Sequence, residues 1–141
     1  MKTIKQISAG GIVYKKIENS LWLICKHSSH KGWVFPKGLV GDKDTTESME
    51  TAALREVNEE GGIKAKIINE KPIQVEYTYK LDGNIIYKTV YYFLMEYISG
   101  DPKDHDFEMS EAEFVTEDEV KKTLTYQSDK DAFNQMLKIL K

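Results

Sequence analysis

The feature that most constrains the fold is a charged, amphipathic segment over residues 46–60, followed by Gly61-Gly62. Its apolar residues recur at helical spacing and predict a stripe that faces a core: Met49, Ala52, Ala53 and Val57. The two glycines predict the C-terminal end of this helix. Three residues near its start are candidate N-caps: Asp44, Thr45 and Thr46.

Strands are predicted on both sides of this helix, over residues 4–16, 21–27, 63–68, 75–81, 84–98 and 111–115. Period-two alternation marks the strand over 75–81. Asp82-Gly83 is typical of a hairpin turn, and residues 18–20 predict another turn. A short helix is expected over 117–124, because Thr116 and Glu119 have the spacing of a capping box.

Ser128 with Asp131 predicts the start of a last helix, which has one apolar face. That face consists of Ala132, Phe133, Met136, Leu137 and Leu140. Strands, one helix, more strands and then helices give an α+β or mixed α/β pattern, in which helices are layered on a sheet.

Composition limits the classes to which the chain can belong. Its 141 residues fit one domain, and its net charge of −3 argues against a nucleic-acid module with a broad basic surface. Cys25 is the only cysteine, so no intrachain disulfide can form, and it is expected in the core. No segment reads as a signal peptide or a membrane span, so the cytoplasm is the expected location.

Three glutamates lie close together near the end of the 46–60 helix: Glu56, Glu59 and Glu60. Their spacing places them on one helix face, where like charges repel. They also lie at the helix end that disfavours negative charge. Oxygen ligands clustered in this way suit hard cations such as Mg²⁺ or Mn²⁺. The alternative is a solvated, glutamate-rich helix end.

A longer pattern surrounds these glutamates. Gly41 is followed after five residues by Glu47, and after seven more by Arg55-Glu56-Val57-Asn58-Glu59-Glu60-Gly61-Gly62-Ile63. This resembles the Nudix box, G-x5-E-x7-R-E-U-x-E-E-x-G-U, in which U is aliphatic. The resemblance implies an α/β/α sandwich with a mixed sheet between helices. It also implies metal-dependent hydrolysis of a nucleoside-diphosphate-linked substrate by attack of water.

The loop before the box departs from the family pattern. In most members the box glycine belongs to a Pro-Lys-Gly triplet, which here ends at Gly38, three residues before the required spacing. Either Gly41 is the equivalent residue, or residues 39–46 carry a three-residue insertion after Gly38. The match of Pro36-Lys37-Gly38 favours the insertion.

The resemblance assigns roles to individual residues. The implied metal ligands are Glu56, Glu59, Glu60, Glu108 and a backbone carbonyl at Gly38. Glu111 and Glu113 compete with Glu108, which can equally be an exposed loop acid. Either Glu56 or Glu59 is expected to deprotonate the attacking water, and Arg55 with Glu47 is expected to brace the loop against the helix.

Residues outside the box resemble the small diadenosine tetraphosphate hydrolases of the family, over residues 8–11, 32–38 and 87–93. That resemblance implies that Lys37 and Lys88 bind phosphates. Aromatic rings are implied near the nucleobase: Tyr79, Tyr92 and Tyr126. The alternative for these tyrosines is packing in the core. His27 and His30 lie in the loop before Trp33 and are expected at the surface, with a phosphate contact as the alternative, and a zinc site there is not expected.

The leading functional hypothesis is therefore asymmetric cleavage of diadenosine tetraphosphate to ATP and AMP. The alternatives are removal of pyrophosphate from the 5′ end of RNA or another nucleotide pyrophosphatase activity, and, outside enzymes, a nucleotide-binding sensor. The expected partner is a small nucleotide or an RNA 5′ end, with no membrane and no stable protein partner.

Overall fold

A computed structural model describes residues 1–16, 19–41 and 45–140. These residues contain eight strands: β1 (Thr3–Lys15), β2 (Leu21–His27), β3 (Trp33–Val34), β4 (Lys37–Leu39), β5 (Ile63–Ile67), β6 (Ile73–Leu81), β7 (Asn84–Gly100) and β8 (Met109–Thr116). The helices are α1 (Met49–Gly61), α2 (Glu117–Thr123) and α3 (Gln127–Leu140), with a 3₁₀ turn at Pro102–Asp104.

All eight strands form one mixed sheet whose main order is β3-β2-β1-β7-β5. The two long strands β1 and β7 run parallel, from Thr3 beside Ile85 to Tyr14 beside Glu96. The other pairings are antiparallel. Strand β6 pairs with the first half of β7, and β4 pairs with β1. This arrangement brings the short segment 37–39 to the centre of the sheet.

Side chains of β1 alternate between two cores, because successive strand residues point to opposite faces. Ile12 and Tyr14 belong to a core that also contains residues of α2 and α3. Ala9 and Val13 belong to a second core that contains the apolar stripe of α1. A mixed sheet thus lies between helices, and the expected α/β/α sandwich is confirmed.

The start of α1 differs from the prediction. Its N-cap is Ser48, which has extended backbone angles and accepts a hydrogen bond from the Thr51 amide. Thr45 and Thr46 lie in a turn before it, so neither caps the helix, and Asp44 lies outside the described residues. The predicted stop is confirmed, because Gly62 is left-handed and its amide binds the carbonyl of Asn58.

Other predicted signals have mixed outcomes. Asp82 and Gly83 both have positive φ, 51° and 78°, as a two-residue hairpin of this type requires. The Thr116–Glu119 capping box is present. Helix α3 begins at Gln127, so Ser128 lies inside its first turn and is not its cap. In the turn predicted over 18–20, residue 18 lies outside the described residues.

Two further expectations concern burial. Cys25 is fully buried in the α1-side core, as predicted. Leu140, expected on the apolar face of α3, is instead 41% exposed because the helix ends there. Among the helices of the described chain, none combines the length and the apolar character that a membrane crossing needs.

Candidate active site

The three glutamates of α1 lie at the edge of the helix face that packs on the sheet. Ala52, Ala53 and Val57 anchor it on the sheet. That orientation buries Glu56 and Glu60, which are 6% and 5% exposed. The Glu59 side chain is 34% exposed. The three carboxylates therefore share a helix end but not an environment, which the helical spacing by itself did not distinguish.

Arg55, the only arginine in the sequence, ties the preceding loop to α1. Its Nε and Nη2 donate to the two carboxylate oxygens of Glu47 at 2.7 and 3.0 Å. Glu47 also accepts from the Gly41 amide at 3.2 Å. The Glu47 side chain is only 4% exposed. This contact has the geometry expected for the loop brace.

Arg55 also offsets the repulsion within the glutamate cluster. Its Nη1 lies 2.6 Å from Glu56 Oε1 and 3.3 Å from Glu59 Oε2. Burial nevertheless raises the pKa of Glu56, although the hydrogen bond and charge of Arg55 oppose this rise. One guanidinium thus supplies much of the compensation that the clustered carboxylates require.

Glu60 faces a different partner. Its Oε1 accepts a hydrogen bond from the backbone amide of Lys37 at 3.1 Å. Burial, reinforced by the charge of Glu56, raises the pKa of Glu60 to about 9. A carboxyl that holds its proton at neutral pH is suited to release it when a cation binds.

Gly38 lies directly against Glu56. A Cβ at position 38 would overlap the Glu56 carboxylate, so a side chain there would displace it. The backbone of the Pro36-Lys37-Gly38 segment therefore approaches the acidic side chains at the position that the insertion hypothesis gives to Gly38. Gly41 instead lies in a turn with a φ of 81° and contacts Glu47.

Glu108 lines the same cavity as Glu60, and its charge contributes to the raised pKa values of Glu56 and Glu60. The competing candidates lie elsewhere: Glu111 is exposed and pairs with Lys26 at 3.8 Å, and Glu113 is exposed on β8 beside Ile24. We call Glu56, Glu59, Glu60 and Glu108 the acidic cluster. Its donors are all oxygen, the chemistry that Mg²⁺ and Mn²⁺ prefer.

The side chains of the acidic cluster are not arranged as a finished metal cage. Within residues 1–16, 19–41 and 45–140, no three carboxylate, imidazole or thiol side chains converge at ligand geometry. Arg55 holds Glu56 and Glu59 through hydrogen bonds. Binding of a cation would therefore require these carboxylates to exchange part of their contact with Arg55 for the ion.

A cavity of about 880 Å³ extends from Glu60 and Glu108 to the first turn of α3. One side of it, which we call the aromatic wall, consists of Tyr77, Tyr79 and Tyr126. The rings of Tyr77 and Tyr79 stack with centroids 6.1 Å apart. Lys37 and Lys88 also line the cavity, and Lys88 Nζ lies 5.8 Å from the centre of the Tyr79 ring.

A family model described as the NUDIX domain matches residues 5–136 of the chain. The chain belongs to the Nudix family. One relative bears the name mutator protein MutT4 and comes from Mycobacterium tuberculosis (strain CDC 1551 / Oshkosh). It is 29% identical to this chain over 137 residues. That match covers 92% of this chain but only 54% of the relative's own length.

Solved Nudix structures share the fold. A binary complex of the C. elegans Ap4A hydrolase superposes with a TM-score of 0.78 at 23% identity, covering 96% of this chain and 97% of that one. The NUDIX domain of Shewanella oneidensis NrtR, complexed with ADP ribose, gives 0.71 at 16% identity, covering 97% and 89%. These likenesses confirm the predicted Nudix fold.

Tyr92 does not line this cavity, and the prediction that its ring lies near the nucleobase is wrong. The ring is 1% exposed and packs edge-on against Phe35, with centroids 5.8 Å apart. Its hydroxyl donates to Asp129 Oδ1 at 2.7 Å. Burial, with the adjacent Asp129 charge, raises the pKa of Tyr92. Tyr92 is therefore a core residue.

The two predicted phosphate-binding lysines differ in environment. Burial lowers the pKa of Lys37, but the charges of Asp129, Tyr77 and Glu60 raise it by more, so the pKa is raised overall. Burial and the neighbouring charge of Lys37 lower the pKa of Lys88. Two cations that share one cavity repel each other, and an anion placed between them would relieve this repulsion.

The sequence patterns do not indicate two of the residues that line the cavity, Asp129 and Tyr77. Asp129 is 2% exposed yet lines the cavity, and burial raises its pKa. In the sequence it resembles any acidic residue in the first turn of a helix, so no local signal marks it. Tyr77 shares a strand face with core residues, and nothing in that pattern shows that part of its side chain faces the cavity.

His27 and His30 line the cavity and stack on each other, with ring centroids 4.1 Å apart. Because the Gly32 amide donates to His30 Nδ1, that nitrogen is an acceptor, and the Tyr126 hydroxyl donates to it as well at 2.9 Å. Burial lowers the pKa of His30. The histidine pair thus positions Tyr126 at the rim of the cavity.

Proposed function

We propose that this Nudix protein hydrolyses a dinucleoside polyphosphate, with diadenosine tetraphosphate cleaved asymmetrically to ATP and AMP. The observation that carries the proposal is one cavity with Glu60 and Glu108 of the acidic cluster at one end, two lysines inside it and the aromatic wall along its side. Such a cavity offers separate contacts for a cation, a polyphosphate and a base.

Glu56, Glu60 and Glu108, together with the backbone carbonyl of Gly38, would hold Mg²⁺ or Mn²⁺. A divalent ion bound there supplies charge for the phosphate oxygens and lowers the pKa of a water. Glu60 would hold such an ion as a carboxylate, and the contacts of Arg55 with Glu47 would keep the loop in place.

One glutamate must accept a proton from the attacking water. Glu56 and Glu59 are the candidates, and their contacts with Arg55 differ: 2.6 Å for Glu56 and 3.3 Å for the more exposed Glu59. Because Glu56 is held closely beside Gly38, it suits a fixed ligand. We assign the proton transfer to Glu59, whose weaker contact leaves its oxygens free to turn toward a water.

The remainder of the cavity fits the rest of the substrate. Lys37 and Lys88 bind phosphate oxygens as point charges. Tyr79 and Tyr126, 36% and 41% exposed, offer ring faces on which an adenine can stack. The likeness in fold to the Ap4A hydrolase of C. elegans supports this choice of substrate.

The deciding experiment is product analysis after incubation with diadenosine tetraphosphate, with Mg²⁺ in one arm and a chelator in the other. We expect ATP and AMP in equal amounts, formed only in the Mg²⁺ arm. Equal cleavage with chelator present would overturn the metal-dependent mechanism. No cleavage in either arm would overturn the substrate assignment, and competition with 5′-triphosphate RNA would then test the RNA alternative.

A further inference from the structure

We propose that the hydroxyl of Ser8, on the floor of the cavity between Lys37 and Lys88, donates a hydrogen bond to a phosphate oxygen of the bound substrate. This inference deepens the proposed function, because it rests on the cavity binding a polyphosphate. It adds a residue of the central strand to the side chains that contact the substrate.

The first observation is that Ser8 has no hydrogen-bond partner. Ser8 is 1% exposed and lines the cavity. Across the described ranges, its Oγ is the only buried side-chain oxygen or nitrogen without a hydrogen bond. Buried polar groups are nearly always paired, so an unpaired hydroxyl calls for an explanation.

The second observation is the position of Ser8 in the sheet. It pairs with Leu39 of β4 on one side and with Val90 of β7 on the other. By alternation its side chain shares a face with Gly10. A Cβ at Gly10 would meet the Lys37 side chain, so Lys37 overlies this row of β1. Ser8 is the next position on this face, two residues before Gly10.

Lys88 completes the arrangement from the opposite side. It lies two residues before Val90 on β7, and therefore on the same face, where it pairs with Gln6 of β1. Ser8 therefore lies on the sheet face that carries Lys37 on the β4 side and Lys88 on the β7 side. Both lysines line the cavity, whereas the aromatic wall lies on β6 and just before α3.

These surroundings select an anion as the missing partner. A hydrogen bond from a hydroxyl to a charged oxygen is shorter and stronger than one between neutral groups. A phosphate between the two lysines would offer such an oxygen, and rotation of Ser8 about χ1 moves Oγ among three staggered positions. Alanine at position 8 would avoid the unpaired hydroxyl, so stability alone does not favour serine there.

The experiment measures binding of inorganic tripolyphosphate by isothermal titration calorimetry in excess Mg²⁺, together with the melting temperature. It compares the natural protein with Ser8→Ala and with Ser99→Ala, which alters an exposed serine at the far end of β7. We expect Ser8→Ala to raise the Kd about tenfold, the usual consequence of losing about 1.4 kcal/mol. Its melting temperature should stay equal or rise, and Ser99→Ala should change neither quantity.

An unchanged Kd in Ser8→Ala, or no binding of tripolyphosphate by the natural protein, would overturn the inference. A lower melting temperature with an unchanged Kd would show that the hydroxyl serves the fold instead. Because tripolyphosphate has no nucleoside, failure to cleave diadenosine tetraphosphate would remove the proposed substrate while a weaker Kd in Ser8→Ala would still support the phosphate contact.

Discussion

Three of the four carboxylates in the acidic cluster come from α1, whereas the aromatic wall is assembled from β6 and the residue just before α3. Arg55 bridges Glu47, Glu56 and Glu59 through hydrogen bonds of 2.6–3.3 Å. The aromatic wall is held by a ring stack and by the contact between Tyr126 and His30.

This difference in construction separates two roles. Charged groups held by a rigid network suit the reacting centre, because catalysis depends on preorganised electrostatics. Half-exposed rings on separate elements suit binding, because stacking tolerates small changes in position. Substitutions in the acidic cluster should therefore change kcat, and substitutions in the aromatic wall should change KM.

The largest expected effect is at Glu59. Glu59→Gln removes the proposed proton acceptor while preserving side-chain size, so kcat should fall by about 10²-fold or more. Steady-state kinetics with diadenosine tetraphosphate measures this, and the melting temperature should be unchanged. Glu50→Gln, at an exposed position on the first turn of the same helix, is the matched control. Natural rates in Glu59→Gln would remove Glu59 from the mechanism.

Arg55→Ala should give the largest loss of stability in this region. It leaves the nearly buried Glu47 and Glu56 side chains without their cation, which costs about 3 kcal/mol of unfolding free energy. Urea denaturation measures the loss. Lys121→Ala breaks the exposed pair with Glu117 and should cost about 0.5 kcal/mol or less. Equal costs in the two variants would show that Arg55 is no brace.

Tyr126→Leu tests the other half of the comparison. Loss of one stacking ring, worth about 1–3 kcal/mol, should raise KM for the dinucleotide about tenfold or more with little change in kcat. Binding of tripolyphosphate should stay unchanged, because it has no base. The control is Tyr87→Leu, because Tyr87 lies on the face of β7 opposite to Lys88. A fall in kcat at constant KM would contradict the assignment of Tyr126 to binding.

The pH dependence of stability in the metal-free protein tests the environment of Glu60. Folding raises the pKa of Glu60 from 4.5 to about 9, so the folded state holds this proton more tightly. The resulting stabilisation is complete below pH 4.5 and is lost as pH rises through 9. Glu60→Gln should flatten this part of a urea-denaturation series recorded in chelator. An identical slope in both proteins would contradict the buried, protonated state of Glu60.

Local patterns identified the parts of the structure whose contacts lie close in sequence. The glutamates of α1, the left-handed stop at Gly62 and the turn at Asp82-Gly83 all follow from spacing over a few residues. The family motif predicts the pairing of Arg55 with Glu47. The acidic residues of α1 accordingly follow from local spacing, whereas the greater exposure of Glu59 does not.

What the sequence determined by itself is therefore the family, the sheet with its helices and the acidic residues of α1. The tertiary structure decided which residues on one sheet face meet the cavity. Alternation places Tyr77, Lys88 and Tyr92 on the same face, but Tyr92 is buried in the core shared with α3, whereas the other two are only partly buried and line the cavity. The burial of Asp129 and the unpaired hydroxyl of Ser8 have the same origin, because strand periodicity fixes the face of a side chain and not the element that packs above it.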